Sequence, residues 1–529
     1  MSRGPRRASG APEANGGEGV AGAAPGTVSG NKGLEIEEAL IFEQGDPALS
    51  GVDLEAPPEF ADRLGGCGRT DAIGLPGLSE PQVVRHFTRL SSKNYAIDAG
   101  FFPLGSCTMK HNPRLNEATA RLPGFAGLHP LQPLSTVQGA LELMDALAHW
   151  LKVLTGLPAV TLAPAAGAQG ELCGMMVIRA AHDAAGNRGG AARTRVLVPE
   201  SAHGTNPATA ATCGYSVDPV AGDARGRADL AALKEKLGPD VAALMITNPN
   251  TCGLFEGDIV AMAEACHDAG AYVYCDGANF NAIMGKARPA DLGIDVMHFN
   301  LHKTFSTPHG GGGPGSGPVA MTEALAAHAP LPWLVAGADG FALQETAEGD
   351  AAASIGRLKA FHGQFGMFVR AYTYMLSHGG DGLTQVSEDA VLAANYMLAT
   401  LSDSLSAAYP GPCMHECLFD DEAFRAHGVS TLDFAKALID EGFHPTTIYF
   451  PLVVHGAMLL EPTETEPKAE LDRFIAAVKG LMERLKAGQA EHFKTAPHLA
   501  PRRRLDETQA ARHPVLRYRA DAAPGEAAE

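Results

Sequence analysis

Val241-Ala-Ala-Leu-Met-Ile-Thr247 carries no charge, and Asn248-Pro-Asn250-Thr251 follows it directly. A continuous apolar run of this length reads as a strand buried on both faces, closed by a turn. A helical stretch follows over Gly257–Ala269, then a second strand, Ala271–Cys275, and a third, Asp295–Phe299. Upstream the same alternation holds. Helical stretches cover Val137–Leu154 and Gly170–Ala185, an apolar run covers Arg195–Val198, and a helix follows His203. Strands alternating with helices predict an α/β fold with a large, mostly parallel sheet. Such sheets take ligands at the carboxyl ends of their strands.

Beyond about residue 350 the texture changes. Helical stretches at Ile355–Ser377 and Val386–Leu401, a strand-like Thr446–Phe450 and a helix at Lys468–Lys486 predict a smaller α+β domain. The expected organisation is a disordered tail over 1–32, an extended and helical segment over 33–135, a large ligand-binding domain over 136–350, a small domain over 351–487 and an extension over 488–529. Arg3, Arg6 and Arg7 hint at a transit peptide, but Glu13, Glu18 and the missing amphipathic pattern favour the tail. The extension carries Arg502, Arg503, Arg504, Arg512, Arg517 and Arg519. Asp506 and Glu507 among them point to docking rather than to nucleic acid.

Composition narrows the class. Hydrophobic residues make up 45% and charged residues 19%, a globular balance that excludes a wholly disordered chain. Gly 61 and Pro 36 together exceed the average share and show no collagen period, so they signal turns and Gly-rich loops. A net charge of −19 argues against nucleic acid or an anionic membrane as partner. No apolar run approaches the ~18 residues of a membrane span. The nine cysteines are sparse and odd in number, which suits free thiols in a reducing cytoplasm. Cys413-Met-His415-Glu-Cys417 comes nearest to a metal motif. A structural zinc site needs four ligands and no second cluster accompanies it, so no metal is expected.

Five segments at predicted strand ends carry the chemistry. Asn300-Leu-His302-Lys303-Thr304 puts a lysine just past a strand, before the glycines Gly310–Gly313 and Gly315. A lysine held in a cleft there can be desolvated or tied as a Schiff base. Asp276 closes the strand ahead of Gly277-Ala278-Asn279. A carboxylate at such a place needs a partner, and the pyridinium nitrogen of pyridoxal phosphate is one. The separation of Asp276 and Lys303 fits one crossover. Ala166-Gly167-Ala168-Gln169-Gly170 opens a helix with small residues and free N–H groups suited to phosphate. His203, between a strand and a helix, can lie over a planar ring. Asn248 can donate to a phenolic oxygen, against the alternative of a plain Asx turn before Pro249. Singly each is weak. Together they fit one cofactor pocket.

These residues resemble the pyridoxal-phosphate-dependent P-protein of the glycine cleavage system, glycine dehydrogenase (decarboxylating), and the lysine-bearing subunit 2 of its two-subunit form. The resemblance covers roughly 69–519. Beyond the pocket it rests on Leu78-Ser-Glu-Pro-Gln-Val-Val-Arg85, Leu90-Ser-Ser-Lys-Asn-Tyr95 and Pro103-Leu-Gly-Ser-Cys107-Thr-Met-Lys110. It rests also on Phe365-Gly-Met-Phe-Val-Arg-Ala-Tyr372, Glu461-Pro-Thr-Glu-Thr-Glu466 and Arg504-Leu-Asp-Glu507. Where the family often has Ser or Asn, this chain has Ala165 and Ala166, which leaves phosphate to backbone N–H groups and Gln169.

The resemblance implies a fold-type I architecture with bound pyridoxal phosphate. It implies Lys303, His203 and Asp276 as catalytic residues, with Gly167, Ala168, Gln169, Asn248, Ala278 and His302 also at the cofactor. Ser106, Cys107 and Thr108 fall in a loop that the resemblance places near the site. The implied reaction is decarboxylation of glycine, with transfer of the aminomethyl group to the lipoyl arm of H-protein. The implied partner is subunit 1, in a heterodimer, with a dimer of heterodimers left open. Rival readings are another fold-type I enzyme (an amino-acid decarboxylase, aminotransferase or cysteine desulfurase) or a non-catalytic scaffold subunit. The Gly-Ser-Cys-Thr-Met-Lys string opposes the first. Retention of Lys303, Asp276 and His203 opposes the second.

Overall fold

The computed structural model describes residues 6–7, 36–46, 54–55, 58, 61, 63–71, 73–186, 192–309 and 315–517. The tail read over 1–32 (residues 6–7 apart), the glycines Gly310–Gly313 and Arg519 lie outside the described residues. The chain forms two compact units, residues 1–96 with 497–529, and residues 97–496.

In the first unit a helix over Glu80–Ser91 opens on a capping box formed by Ser79 and Gln82. The Glu38 carboxylate takes Arg89 at 2.6 Å and His86 at 3.1 Å, and the Arg89 hydrogen bond holds it down at about 2.

The second unit is built on a seven-stranded sheet. Its strands are β1 (Ala159–Thr161), β2 (Arg195–Pro199), β3 (Ser216–Val220), β4 (Val241–Thr247), β5 (Tyr272–Gly277), β6 (Val296–Phe299) and β7 (Val319–Met321). The order across the sheet is β1-β7-β6-β5-β4-β2-β3. Strands β3, β2, β4, β5 and β6 run parallel, and β7 is antiparallel to both β6 and β1.

Helices cover both faces: α1 (Gln138–Thr155), α2 (Gly167–Ala184), α3 (Thr205–Thr212), α4 (Ile259–Asp268) and the long α6 (Phe365–Leu401). Between α4 and α6 lies the single turn α5 (Leu301–Thr304). Side chains alternate across each strand. Leu244, Ile246, Val273 and Cys275 pack toward α1, α4 and α6. Ala243, Met245 and Tyr274 pack toward α2. Both faces are therefore apolar, which is why β4 reads as an unbroken hydrophobic run and is buried along its whole length.

A second core gathers around α7 (Lys468–Lys486) and a three-stranded antiparallel sheet of β8 (Cys417–Phe419), β9 (Thr447–Ile448) and β10 (Met458–Leu460), with β10 in the middle. Its apolar contacts include Phe419, Phe434, Phe474 and Val478, all fully buried.

Several sequence readings need correction. Ile355–Ser377 is not helical throughout; α6 starts at Phe365, because Gly356 (φ 83°) and Gly363 (φ 102°) sit in left-handed conformations ahead of it. The break expected between residues 377 and 386 is present but short: α6 is two helices that meet at a kink at Gly379 (φ 64°, ψ −178°). The strand expected over Thr446–Phe450 shrinks to Thr447–Ile448, since Tyr449 turns to φ 56°. Helix α2 starts three residues earlier than read, at Gly167.

Candidate active site

Sheet register sets the site. Thr247 pairs with Asp276 and Asp276 with His298, so three parallel strand ends stand side by side. No α-helix links β5 to β6. Short 3₁₀ turns at Phe280–Ala282 and Pro289–Leu292 make the crossover. Past the end of β6, Asn300 leads into α5 and places Lys303 one turn on. Opposite, α2 begins at Gly167, and its first bond back within the helix runs from Gly170 N–H to Ala166 O at 2.9 Å. The N–H groups of Gly167, Ala168 and Gln169 therefore have no partner within the helix. Only glycine fits at 167, since a Cβ there would lie 2.1 Å from Asn300 Oδ1. These elements enclose a cavity of about 250 Å³ whose wall includes Lys303, Asp276, His203, Gly167, Ala168 and Ser106.

Asp276 is buried, yet its carboxylate is well served. Oδ2 accepts from Asn206 Nδ2 at 3.1 Å, Oδ1 accepts from Ala278 N–H at 2.9 Å, and His298 Nε2 lies 3.4 Å from Oδ1. Burial holds the His298 imidazole below its ordinary value, and its Nδ1 lies 2.5 Å from the Tyr274 hydroxyl. Glu171, in the same wall, is pushed up to about 9, by burial first and by Asp276 second, so it is a neutral acid at pH 7. His302 is pushed down to about 3 by burial, then by His309 and Lys303. It is thus the acceptor for Ser316 N–H, 3.3 Å from its Nδ1. Lys303 Nζ donates to the Ser106 carbonyl at 3.0 Å.

Of the residues read from sequence, Lys303, Asp276, His203, Gly167, Ala168, Ala278, His302 and Ser106 all line this cavity. The His203 ring stands at its edge, 5.5 Å from the Phe450 ring, with Nδ1 2.9 Å from Thr205 Oγ1. Gln169 does not reach the cavity wall. Its side chain is engaged elsewhere, accepting from Ala165 N–H at 2.6 Å and donating to the distant Leu358 O at 3.4 Å. Asn248 lies behind the wall, with Oδ1 accepting from Glu256 N–H at 3.0 Å and Nδ2 buried without a partner. Cys107 sits beside the wall, and burial raises its thiol, which disfavours a reactive thiolate. Thr108 is fully buried and donates to Glu461. All nine cysteines are free thiols, and Cys413 and Cys417 are buried.

Sequence reasoning missed His298, Asn206, Glu171 and the groups that hold the 105–110 loop. His298 had a visible signal, a histidine inside an apolar strand directly beside the Asp276 strand end. The loop groups had none, because they come from residues far apart in the chain. Lys110 is the clearest case. Its buried Nζ donates to Thr304 O at 2.8 Å and to Glu464 Oε1 at 2.6 Å, and the Tyr374 hydroxyl donates to the same Glu464 oxygen at 2.8 Å.

A lysine one turn past a strand, facing an aspartate on the next strand end, sits here on a mostly parallel sheet covered on both faces. That is the arrangement of the fold-type I enzymes. Residues 177–332 match the aminotransferase class-V family. A crystal structure of glycine decarboxylase (P-protein) of the glycine cleavage system shares the fold at TM-score 0.66, 22% identity, 79% of this chain and 93% of that one. A cysteine desulfurase from Escherichia coli shares it at TM-score 0.55 and 18% identity, over 75% of this chain and 98% of that one.

Within that class the sequence is more specific. Residues 386–501 match the C-terminal domain of glycine dehydrogenase. The probable glycine dehydrogenase (decarboxylating) subunit 2 of Caulobacter vibrioides is 66% identical over 508 residues, covering 95% of this chain and 96% of that protein. Its counterpart from Exiguobacterium sibiricum is 54% identical over 487 residues, 91% and 97% of the two chains. The chain belongs to the glycine dehydrogenase (decarboxylating) subunit 2 family.

The cavity suits the cofactor of its class. Thr247 Oγ1 and Asn300 Oδ1 are buried in its wall without hydrogen-bond partners, and Asn248 Nδ2 is likewise unpartnered behind it. The N–H groups at the start of α2 offer a phosphate site. A Cβ at residue 167 would crowd that corner.

Proposed function

We propose that this chain is the lysine-bearing half of a pyridoxal-phosphate-dependent glycine decarboxylase that works in the cytoplasm with subunit 1 and a lipoylated H-protein. The observation that carries the reading is the convergence of Lys303 and Asp276 on one cavity at adjacent strand ends. When bound, pyridoxal phosphate supplies the electron sink that lets glycine lose its carboxylate as CO2 and pass its aminomethyl group to the lipoyl disulfide.

The residues divide the work. Lys303 would supply the amine that anchors the cofactor, and the Ser106 carbonyl is placed to hold that amine when it is free. Asp276, oriented by the Asn206 and Ala278 donors, would keep a proton on the pyridine nitrogen. Glu171 and His298, both neutral, do not compete with it for that proton. The first N–H groups of α2 hold the phosphate, and backbone takes the larger share because Gln169 is engaged elsewhere. His203, in the cavity wall, would be the residue that covers the ring. The reading places the cofactor on a large domain over 136–350, with a small domain over 351–487.

The test is exchange of labelled bicarbonate into the carboxyl of glycine. Exchange is expected when the chain, subunit 1 and lipoylated H-protein are combined, and it should be lost when either partner is left out. Full activity of the isolated chain, or turnover of another amino acid in place of glycine, would overturn the reading.

A further inference from the structure

Beneath the Gly105–Thr108 loop lie two carboxylates that the proposed chemistry does not use. Glu416 and Glu461 are both fully buried. Glu416 comes from the residue just before β8, and Glu461 from the residue just after β10, its central neighbour. Glu416 Oε2 accepts from Ser106 N–H at 2.7 Å. Glu461 Oε1 accepts from Thr108 Oγ1 at 2.5 Å and from Asn281 Nδ2 at 3.2 Å. The loop is pressed close here. A Cβ on Gly105 would fall 2.2 Å from the Leu459 side chain, and Ser106 adopts φ 60°. The far oxygens, Glu416 Oε1 and Glu461 Oε2, are buried without a hydrogen-bond partner, as are both ring nitrogens of the fully buried His415. One side-chain atom from each of the three residues lies within 4.8 Å of the others.

Two buried carboxylates this close do not both ionise. Burial raises both groups, and Glu461 raises Glu416 further. The cations facing them are Lys303 toward both and Lys110 toward Glu461, while His415, pushed down to about 3 by burial, is neutral.

We propose that Glu416 and Glu461 act as one unit, sharing a single proton, that clamps the two ends of the Ser106–Thr108 segment and so fixes the carbonyl that receives the Lys303 amine. They are positioning residues and touch neither substrate nor cofactor. The chain of contacts runs from Glu416 to the Ser106 amide, and from the Ser106 carbonyl to Lys303 Nζ. The proton shared by the pair gives one of the two free oxygens a donor. The inference rests on the reading of Lys303 as the cofactor anchor.

Three measurements on the full-length chain test it: hydrogen exchange at the 104–109 amides, the rate at which borohydride traps pyridoxal phosphate on Lys303, and infrared absorption of protonated carboxyl groups. Glu416→Ala should expose the 104–109 amides and slow trapping about tenfold, as expected for a displaced anchor. Glu416→Gln keeps an acceptor oxygen and should restore both. Glu416→Gln and Glu461→Gln should each remove the same carboxylic-acid band, since the remaining carboxylate then ionises, and the double variant should remove no more. A folded Glu416→Ala chain with wild-type protection of the loop overturns the clamp. A band that survives either single glutamine variant overturns the shared proton. Hydrogen exchange and infrared need no cofactor, so a wild-type chain that traps nothing on Lys303 refutes the cofactor reading and leaves the clamp to be judged by those two.

Discussion

The cavity has two walls built on different principles. One is made by the ends of β4, β5 and β6, where Thr247, Asp276 and His298 are set side by side by backbone register alone. The other is entered by Ser106, on a loop from Gly105 to Lys110 that is held by the Thr304 carbonyl and by side chains of Glu416, Glu461 and Glu464, the last braced by Tyr374. The strand wall tolerates a changed side chain because hydrogen-bonded strands hold its shape. The loop wall depends on polar groups with no water to replace a lost partner, so losing one partner there leaves a desolvation cost. Substitutions on the strand wall should cost chemistry, and those on the loop wall should cost stability and order.

The largest expected effect is on the strand side. Lys303→Ala should abolish both borohydride trapping of pyridoxal phosphate and glycine–bicarbonate exchange while leaving the fold intact. Tagging of another lysine by borohydride would reassign the anchor. Asp276→Asn keeps shape and the Ala278 contact, so its thermal midpoint should hold while exchange falls about 100- to 1,000-fold. Near-wild-type turnover would dissolve the pairing with the pyridine nitrogen.

On the loop side, Lys110→Met strands the buried Glu464 carboxylate. Unfolding free energy should drop by about 3–5 kcal/mol, the cost of leaving a buried charge unpaired. Lys110→Met combined with Glu464→Gln should regain part of it. Denaturant unfolding measures both, and a loss confined to activity would erase the contrast between the walls.

Glu171 gives a smaller effect with a definite sign. Its folded value, about 9, lies above the ordinary value of 4.5. The folded state therefore holds a proton that the unfolded state releases, and stability falls as pH rises from 4.5 toward 9. Glu171→Gln removes that penalty, so its advantage in thermal midpoint over wild type should be larger at pH 8 than at pH 5. Equal offsets at both pH values would show that Glu171 is ionised in the fold. The smallest effect belongs to Cys107→Ser. With the thiol raised by burial and outside the cavity wall, the variant should bind cofactor as wild type does and lose little turnover. A large loss of exchange would return Cys107 to the site.

The same contrast explains what could be read in advance. The sheet was legible because double burial writes itself as apolar runs such as 241–247. Asp276 and Lys303 stood out as polar residues at the ends of such runs. Gln169 was misplaced because sequence position on a helix start does not tell which way a long side chain turns. The start of α6 was misjudged because Gly356 and Gly363 break a pattern that is otherwise helical. The break between the two helical stretches was legible and falls at Gly379, although it is shorter than the gap read between 377 and 386. The clamp on the 105–110 loop was invisible. Its members are separated by more than three hundred residues, and pairing at that range leaves no local pattern.

Helix α6 has a consequence for how the second unit melts. Its first half gives Phe368, Val369 and Met375 to the core against the large sheet, and its second half gives Ala394, Met397 and Leu401 to the core around α7. The stretch after the Gly379 kink also gives Leu383 and Val386 to the sheet-side core, so one helical stretch is gripped by both cores and neither can come apart without disturbing the other. Calorimetry should therefore record one cooperative transition for residues 97–496, and the stretch between Val386 and Ala394 is the joint at which that cooperativity would first fail.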